Sequence, residues 1–371
     1  MGQIQRKALF LPFMQIPSGH HHVADTLMAE LRRCNMELSC NKVDLLSYSY
    51  GWMEKLISSI YLTWIKKLPS TYNWLYYQAA YKKTSQHNRN FLYEMLFIYF
   101  FKQLVKEKKP NILFCTHALP SHIASVLKQK KQLDSIVVNI YTDFFVNRVW
   151  GLEGVDFHFV PSIQVKEYLL KKGIQGSNIF VTGIPVNSVF LEQGAQRRHH
   201  PKPSILVTGG NLGIGTMEKY LTNTSGSVHF YVLCGKNQTL YRRLSNQHNS
   251  HITPFPYLSC RKKMNDLYDR VDAVLTKPGG VTISECLIKR KPIFVCNPLP
   301  GQEKINVEQL KQLGVIMPVN VEEQSFEQKI IQFFNDRQQQ TIYQQKMEEY
   351  HQNLECQSLS KIIEGLLERI H

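Results

Sequence analysis

The sequence predicts an α/β protein made of two doubly wound, Rossmann-like domains, and three observations carry that expectation. A chain of 371 residues exceeds what one hydrophobic core usually organises. Short apolar, β-branched runs alternate with stretches of helical period, the pattern of parallel sheets covered on both faces. A polar, basic stretch without periodicity, Gly194 to Lys202, interrupts the series and reads as a linker. The expected boundaries are residues 1–198 and 199–355.

In the first domain, Ala8 to Ile16 reads as a strand and Val23 to Arg33 as the helix after it. The loop between them holds Pro17-Ser18-Gly19-His20-His21-His22. Asn111 to Cys115 is the next strand, ending at Thr116-His117, and His122 follows on a helix as a surface residue. Ser135 to Tyr141 is a buried strand that runs into Thr142-Asp143-Phe144. After a short strand at Asp156 to Val160, Ser162 caps a helix through Lys172, and Ile179 to Thr182 is the last strand. Gly183-Ile184-Pro185-Val186 closes the domain.

Ser204 to Thr208 opens the second domain as a strand, followed by the glycine-rich loop Gly209 to Gly215, a weak phosphate-binding signal alone. Tyr231 to Cys234 is a strand ending in Gly235-Lys236-Asn237, where Lys236 suits a phosphate. Asp266, Asp269 and Asp272 lack D-x-D spacing and read as a helix face and its C-terminal loop. Val271 to Thr276 is a strand buried on both faces. Pro278-Gly279-Gly280 breaks it, Val281 to Lys289 has helical spacing, and Pro292 to Cys296 is a second strand. From Phe326 the chain is helical, and Ser358 to Ile370 carries one apolar stripe through Leu359, Ile362, Ile363, Leu366 and Leu367.

Composition narrows the class. Apolar content of 43% and charged content of 20% are ordinary for a globular protein, but a net charge of +15 implies an anionic partner. Eight cysteines without a C-x-x-C pair read as reduced, mainly buried thiols of a cytosolic protein. Lys7 to Met14 is too short in apolar length for a secretory leader, and no run of 18 apolar residues is present to span a bilayer. Membrane contact is therefore expected to be peripheral.

Residues 50–109 hold three of the four tryptophans and ten basic against three acidic residues. Trp52, Trp64, Lys66, Lys67, Trp74, Lys82 and Lys83 mark this segment, and Trp150 joins them as an expected acceptor-side residue. Basic residues among Trp and Tyr suit the interface of an anionic bilayer. The same composition fits a helical core with a solvated basic face, or stacking on single-stranded nucleic acid. Phe91 to Phe101 is apolar nearly all round and reads as buried.

Chemistry concentrates after residue 276. Glycines let backbone N–H groups at a helix start approach an anion, and the helix dipole adds to this. Glu285, more than one turn into that helix, has the reach for a ribose hydroxyl. Pro300-Gly301-Gln302-Glu303 makes a second tight turn with Asn306 beyond it, a polar set that suits a many-hydroxyl ligand such as a sugar. His20 titrates near working pH and is a candidate base, with a helix-capping or surface role as the alternative. Asp143 stands at a strand's carboxyl end, able to orient a base or to cap a helix. The three successive histidines point in different directions, so no metal site is expected there.

K-P-G-G-V-T-I-S-E at 277–285 followed by P-x-P-G-Q-E-K-x-N at 298–306 closely resembles the nucleotide-sugar loop pair of one glycosyltransferase family. That family holds monogalactosyldiacylglycerol synthases, processive diacylglycerol glucosyltransferases and, more distantly, the peptidoglycan N-acetylglucosaminyltransferase. The run Thr142-Asp143-Phe144, with Trp150 seven residues after Asp143, looks like the processive enzymes in particular. Gly19-His20 matches the family's first loop, although Pro17-Ser18 stand where more glycine is usual; Asn187-Ser188 replace its basic residue and proline.

The resemblance implies a GT-B architecture, two domains facing across a cleft with the final helix, 356–371, returning to the first. It implies an inverting hexosyltransferase in which His20 is the base, Asp143 supports it, and neither metal nor other cofactor is needed. A uridine-diphosphate (UDP) sugar would meet Gly19, Gly210, Asn211, Gly235, Lys236, Phe255, Pro278, Gly279, Gly280, Val281 and Thr282. Glu285 would hold ribose, and Gln302, Glu303 and Asn306 the sugar. The implied acceptor is diacylglycerol or its monoglycosylated product, at the cytoplasmic face of the cell membrane and with no nucleic acid involved. A polyprenyl-linked acceptor, a UDP-sugar 2-epimerase and an inactive sensor of nucleotide sugar or lipid are the competing readings.

Overall fold

The computed structural model describes residues 6–14, 19–34, 38–51, 91–192, 202–209, 224–299, 301–320 and 326–368, with isolated positions at 59, 71, 217 and 221. The chain divides into two compact units, Met1–Pro185 with Asn353–His371, and Val186–Gln352. The expected linker at 194–202 lies almost wholly outside the described residues.

The first unit is built on a parallel sheet of β1 (Arg6–Leu11), β2 (Leu38–Lys42), β3 (Ile112–Cys115), β4 (Ile136–Ile140), β5 (Phe157–Val160) and β6 (Ile179–Val181), in spatial order 2-1-3-4-5-6. Parallel strands need crossovers, and helices supply them. They are α1 (Gly19–Arg33), α2 (Leu45–Tyr50), α3 (Phe91–Lys108), α4 (Ala118–Gln129) and α5 (Ile163–Lys171). β1 stops at Leu11 rather than Ile16 because Pro12 lacks an N–H to continue the ladder. α1 starts at Gly19, not Val23, which places all three histidines in its first turn.

The second unit has the parallel strands β7 (Ser204–Thr208), β8 (His229–Leu233), β9 (Ile252–Phe255), β10 (Ala273–Thr276), β11 (Ile293–Val295) and β12 (Met317–Pro318), in order 12-11-10-7-8-9. Its helices are α6 (Gln238–Asn246), α7 (Arg261–Arg270), α8 (Gly280–Ile288), α9 (Gln302–Leu313), α10 (Phe326–Asn335) and α11 (Arg337–Gln352). The last helix, α12 (Leu359–Glu368), belongs to the first unit, where Glu355 N–H donates to the Val181 carbonyl at 2.8 Å and Leu354 packs on the core. Ile362, Ile363, Leu366 and Leu367 are all buried on it.

Depth is where composition misleads. Trp150 is 8% exposed and packs on Tyr141 with ring centroids 4.6 Å apart, so it belongs to the first unit's core and not to an acceptor surface. His122 is buried beside Glu94 at 3.5 Å rather than on the surface. α3 buries Phe97, Phe101 and Leu104 but leaves Phe91 at 72%, Met95 at 65% and Tyr99 at 61% exposure, so it is buried on one face only. Cys115, Cys234, Cys286 and Cys296 are buried, while Cys34, Cys260 and Cys356 are exposed. Among the described residues no helix is long and apolar enough to cross a membrane.

Truncating Trp150 leaves a cavity beside Tyr141. Trp150→Ala is expected to cost ~3–5 kcal/mol of stability, read from denaturant unfolding. A loss below about 1 kcal/mol would contradict the core assignment.

Candidate active site

Both sheets reverse strand order once, between β1 and β3 and between β7 and β10. At such a point neighbouring loops leave in opposite directions and open a crevice beyond the strands' carboxyl ends. The candidate residues collect at these two places, one in each unit.

In the first unit, His20 Nδ1 lies 2.8 Å from the Thr116 carbonyl oxygen and 2.9 Å from Thr142 Oγ1. A carbonyl oxygen can only accept, so Nδ1 carries the proton and Nε2 keeps its lone pair, the tautomer a general base needs. Burial lowers the pKa of His20; the Asp143 charge and the Thr116 bond oppose this, while neighbouring His21 adds to the lowering. Asp143 lies in a bend with no helix directly after it, so it is not a helix N-cap, and its charge acts on His20.

Three partners of His20 stand out only in the fold: Thr116, Thr142 and His117. The His117 ring meets His20 edge-on at 4.7 Å and 85° and stacks on Phe13 at 4.9 Å. Its Nδ1 accepts the Leu119 N–H at 3.1 Å, capping α4, and burial holds its pKa well below the ordinary imidazole value. Polar residues directly after the buried run Ile112–Cys115 are the one sequence signal that marks Thr116 and His117.

The loop carrying Thr142 and Asp143 is pinned at its far end. Asn139 Nδ2 donates to the Gly151 carbonyl at 2.8 Å, and the Gly151 N–H donates to Ser121 Oγ at 3.0 Å. A Cβ at Gly151 would come 2.5 Å from the Ser121 carbonyl oxygen, so only glycine fits. His21 turns away from His20: its Nε2 reaches the Met14 carbonyl at 2.9 Å and Asp44 at 3.3 Å. Among the described residues no group of three or more His, Cys, Asp or Glu side chains is arranged to hold a metal ion.

In the second unit, α8 begins immediately after the Pro278-Gly279 turn at the end of β10, with Gly279 as its N-cap. The N–H groups of Gly280, Val281 and Thr282 open the helix, where no intrahelical acceptor exists for them. A Cβ at Gly279 would meet nothing within 4 Å, and its φ of −77° suits any residue. Among the described residues neither strain nor packing therefore calls for glycine at this position. Gly301 differs, since its φ of +87° is a conformation that favours glycine.

Glu285 projects from α8 with Oε2 accepting the Tyr268 hydroxyl at 2.9 Å. Burial pushes its pKa up to about 7, against the Tyr268 bond and the Arg261 charge. Asn306 departs from its expected role. It is 0% exposed and its Nδ2 donates to the Pro278 carbonyl at 3.1 Å, so it joins the second loop to the first instead of meeting a sugar hydroxyl. Glu303 accepts the Leu299 N–H at 2.6 Å across the α9 turn, and Gln302 is half-buried at its start.

Gly235 and Lys236 follow β8, with the Lys236 Nζ 5.9 Å from the Tyr257 ring. Phe255 ends β9, its carbonyl accepting from the Cys234 N–H at 3.0 Å and its ring 6.1 Å from Tyr231. Gly210, Asn211, Trp52, Trp64, Lys66, Lys67, Trp74, Lys82 and Lys83 lie outside the described residues.

Two doubly wound parallel sheets, each with helix starts at its switch point, make the GT-B fold. MurG of Acinetobacter baumannii has this fold, with a TM-score of 0.61 at 12% identity over 98% of this chain and 99% of its own. The family described as monogalactosyldiacylglycerol (MGDG) synthase matches residues 20–186. A Bacillus subtilis (strain 168) protein described as the uncharacterized glycosyltransferase YkoN is 40% identical over 366 residues, 98% of this chain and 97% of its own. The processive diacylglycerol β-glucosyltransferase of Bacillus cereus (strain G9842) is 27% identical over 327 residues, 83% of this chain and 81% of its own. The chain belongs to the glycosyltransferase family of this Bacillus subtilis relative, and its first unit carries the match to the monogalactosyldiacylglycerol synthase family.

Two expectations follow. Because Asp143 raises the pKa of His20, Asp143→Asn moves the acid limb of kcat, measured with both substrates saturating, to lower pH; a limb that stays in place or rises would refute the pairing. Gly279→Ala changes unfolding stability by less than about 1 kcal/mol but weakens nucleotide-sugar binding roughly tenfold or more through overpacking, read by calorimetric titration.

Proposed function

We propose that this enzyme transfers a hexose from a UDP-sugar to diacylglycerol, or to its monoglycosylated product, at the cytoplasmic surface of an anionic membrane. The observation that carries the reading is His20 with its proton fixed on Nδ1 by Thr116 and its Nε2 lone pair kept for an acceptor hydroxyl. The names of the relatives supply the substrate class, a diacylglycerol acceptor and a glucosyl group.

The chemistry is one displacement with inversion. His20 Nε2 takes the acceptor's hydroxyl proton as the oxygen bonds to the anomeric carbon. The bond from that carbon to the phosphate oxygen breaks, and its electron pair leaves on UDP. The N–H groups of Gly280, Val281 and Thr282 and the dipole of α8 stabilise the departing charge, with Lys236 as a further cation and no metal required. Glu285 accepts from ribose, and Gln302 and Glu303 serve the sugar.

A peripheral membrane site accords with α3. Phe91, Met95 and Tyr99, all exposed, follow one another at helical spacing and continue into Lys102 and Lys106 on the same stripe. Apolar rings beside lysines suit headgroup depth on an anionic bilayer.

Incubation with each UDP-sugar and diacylglycerol in anionic liposomes, with lipids separated by chromatography, tests the proposal. The expected result is a glycosylated diacylglycerol whose formation resists chelators. His20→Ala should slow it by roughly 10²–10⁴-fold while donor affinity is kept. Product only from a polyprenyl-linked lipid would reassign the acceptor. Interconversion of free nucleotide sugars without lipid would indicate an epimerase, and donor binding without turnover a sensor.

A further inference from the structure

Tyr268 takes no part in the chemistry above, yet it is fully buried on α7 with its hydroxyl 2.9 Å from Glu285 Oε2. Its ring is held edge-on by Phe190 at 5.7 Å and 83°, from the short helical turn Ser188–Leu191. A phenol so enclosed stays only where its hydroxyl is satisfied. We propose that Tyr268 is a positioning residue of the donor site: its hydroxyl holds the Glu285 carboxylate in the place where that group accepts from the ribose. The inference rests on the reading of the α8 loop as the UDP-sugar site.

Among the described residues, two groups act on Glu285 beside burial. Arg261 acts on it from α7, together with Tyr268. Cys286 adjoins it, held in the thiol form by burial. One turn further along, Lys289 is paired with Asp269 at 3.0 Å and donates to the Glu192 carbonyl at 2.7 Å. Burial and the adjoining carboxylate push the Tyr268 phenol well up, so it remains a donor. The Tyr268 bond favours the charged form of Glu285, whose pKa burial has raised to about 7. A carboxylate accepts more hydrogen bonds than a carboxylic acid, so donor affinity rises as pH climbs through that value. Removing the phenol hydroxyl raises the Glu285 pKa further and shifts the rise to higher pH.

The test is UDP-glucose binding to the full chain by titration calorimetry between pH 6 and 9; the sugar-linked pyrophosphate has no proton that titrates in this range. The wild-type protein should bind more tightly as pH increases. Tyr268→Phe keeps the ring, and its midpoint should move up by about one pH unit. Its affinity should then be roughly fivefold weaker at pH 7 and near wild type at pH 9. Glu285→Gln should flatten the profile, and adding Tyr268→Phe to it should change nothing more. A Tyr268→Phe loss equal at both pH values, or no loss at either, would overturn the inference while leaving the donor site intact. Binding by Glu285→Gln as tight as wild type, with no pH dependence in either, would overturn the donor reading and with it the role of Tyr268.

Discussion

Parallel pairing is the constraint on which both sites depend. All twelve described strands pair in parallel, so within each sheet every carboxyl end falls on one edge, where the helices that directly follow a strand begin. The reversal of order then selects one place on each edge where side chains can approach a ligand. In the second unit, that place is stiffened by the Asn306 to Pro278 bond, which ties two loops 28 residues apart. The amide is fully buried, so losing its partner would cost ~1–3 kcal/mol and release the turn that presents Gly279.

Burial acts on both sites with one sign in energy and opposite signs in consequence. Removing water disfavours charge, which favours neutral His20, the form a general base needs, against the opposing Asp143 charge and Thr116 bond. The same desolvation keeps Glu285 partly protonated near neutrality, where a carboxylate would serve a sugar-bearing nucleotide better. The protein offsets this locally with the Tyr268 hydroxyl and the Arg261 charge, both of which favour the ionised form. A histidine beside a single carboxylate and a carboxylate beside a phenol are thus two answers to one electrostatic cost.

What the sequence made legible follows from how local each signal is. The turn at Pro278-Gly279-Gly280 and the helix after it are encoded within ten residues, and the βαβ unit is found where that spacing puts it. Thr116 and Thr142 meet His20 across 96 and 122 residues, a convergence no local pattern reports. Trp150 and the α3 residues show the other limit, because composition states which residues are apolar and not which face of an element is covered. Asn306 was visible as a polar residue near a sugar-like motif, but its partner is a carbonyl of the neighbouring loop, and only three-dimensional proximity separates the two roles.

Charge has a further use on the proposed reading. A UDP-sugar carries two negative charges, and an anionic bilayer surface at about −30 mV depletes such an ion roughly tenfold relative to bulk water. An enzyme whose acceptor lies in that surface must therefore capture its donor where the donor is scarce. A net charge of +15 opposes the depletion over about a Debye length, ~8–10 Å at physiological salt. Lys102 and Lys106 on α3 lie on the same stripe as exposed Tyr99, Met95 and Phe91, which on that reading would couple attraction to the bilayer with insertion of rings into it. On the proposed reading the positive charge would serve twice, holding the protein at the lipid and opposing the depletion of donor there. A neutral protein of the same fold would achieve neither.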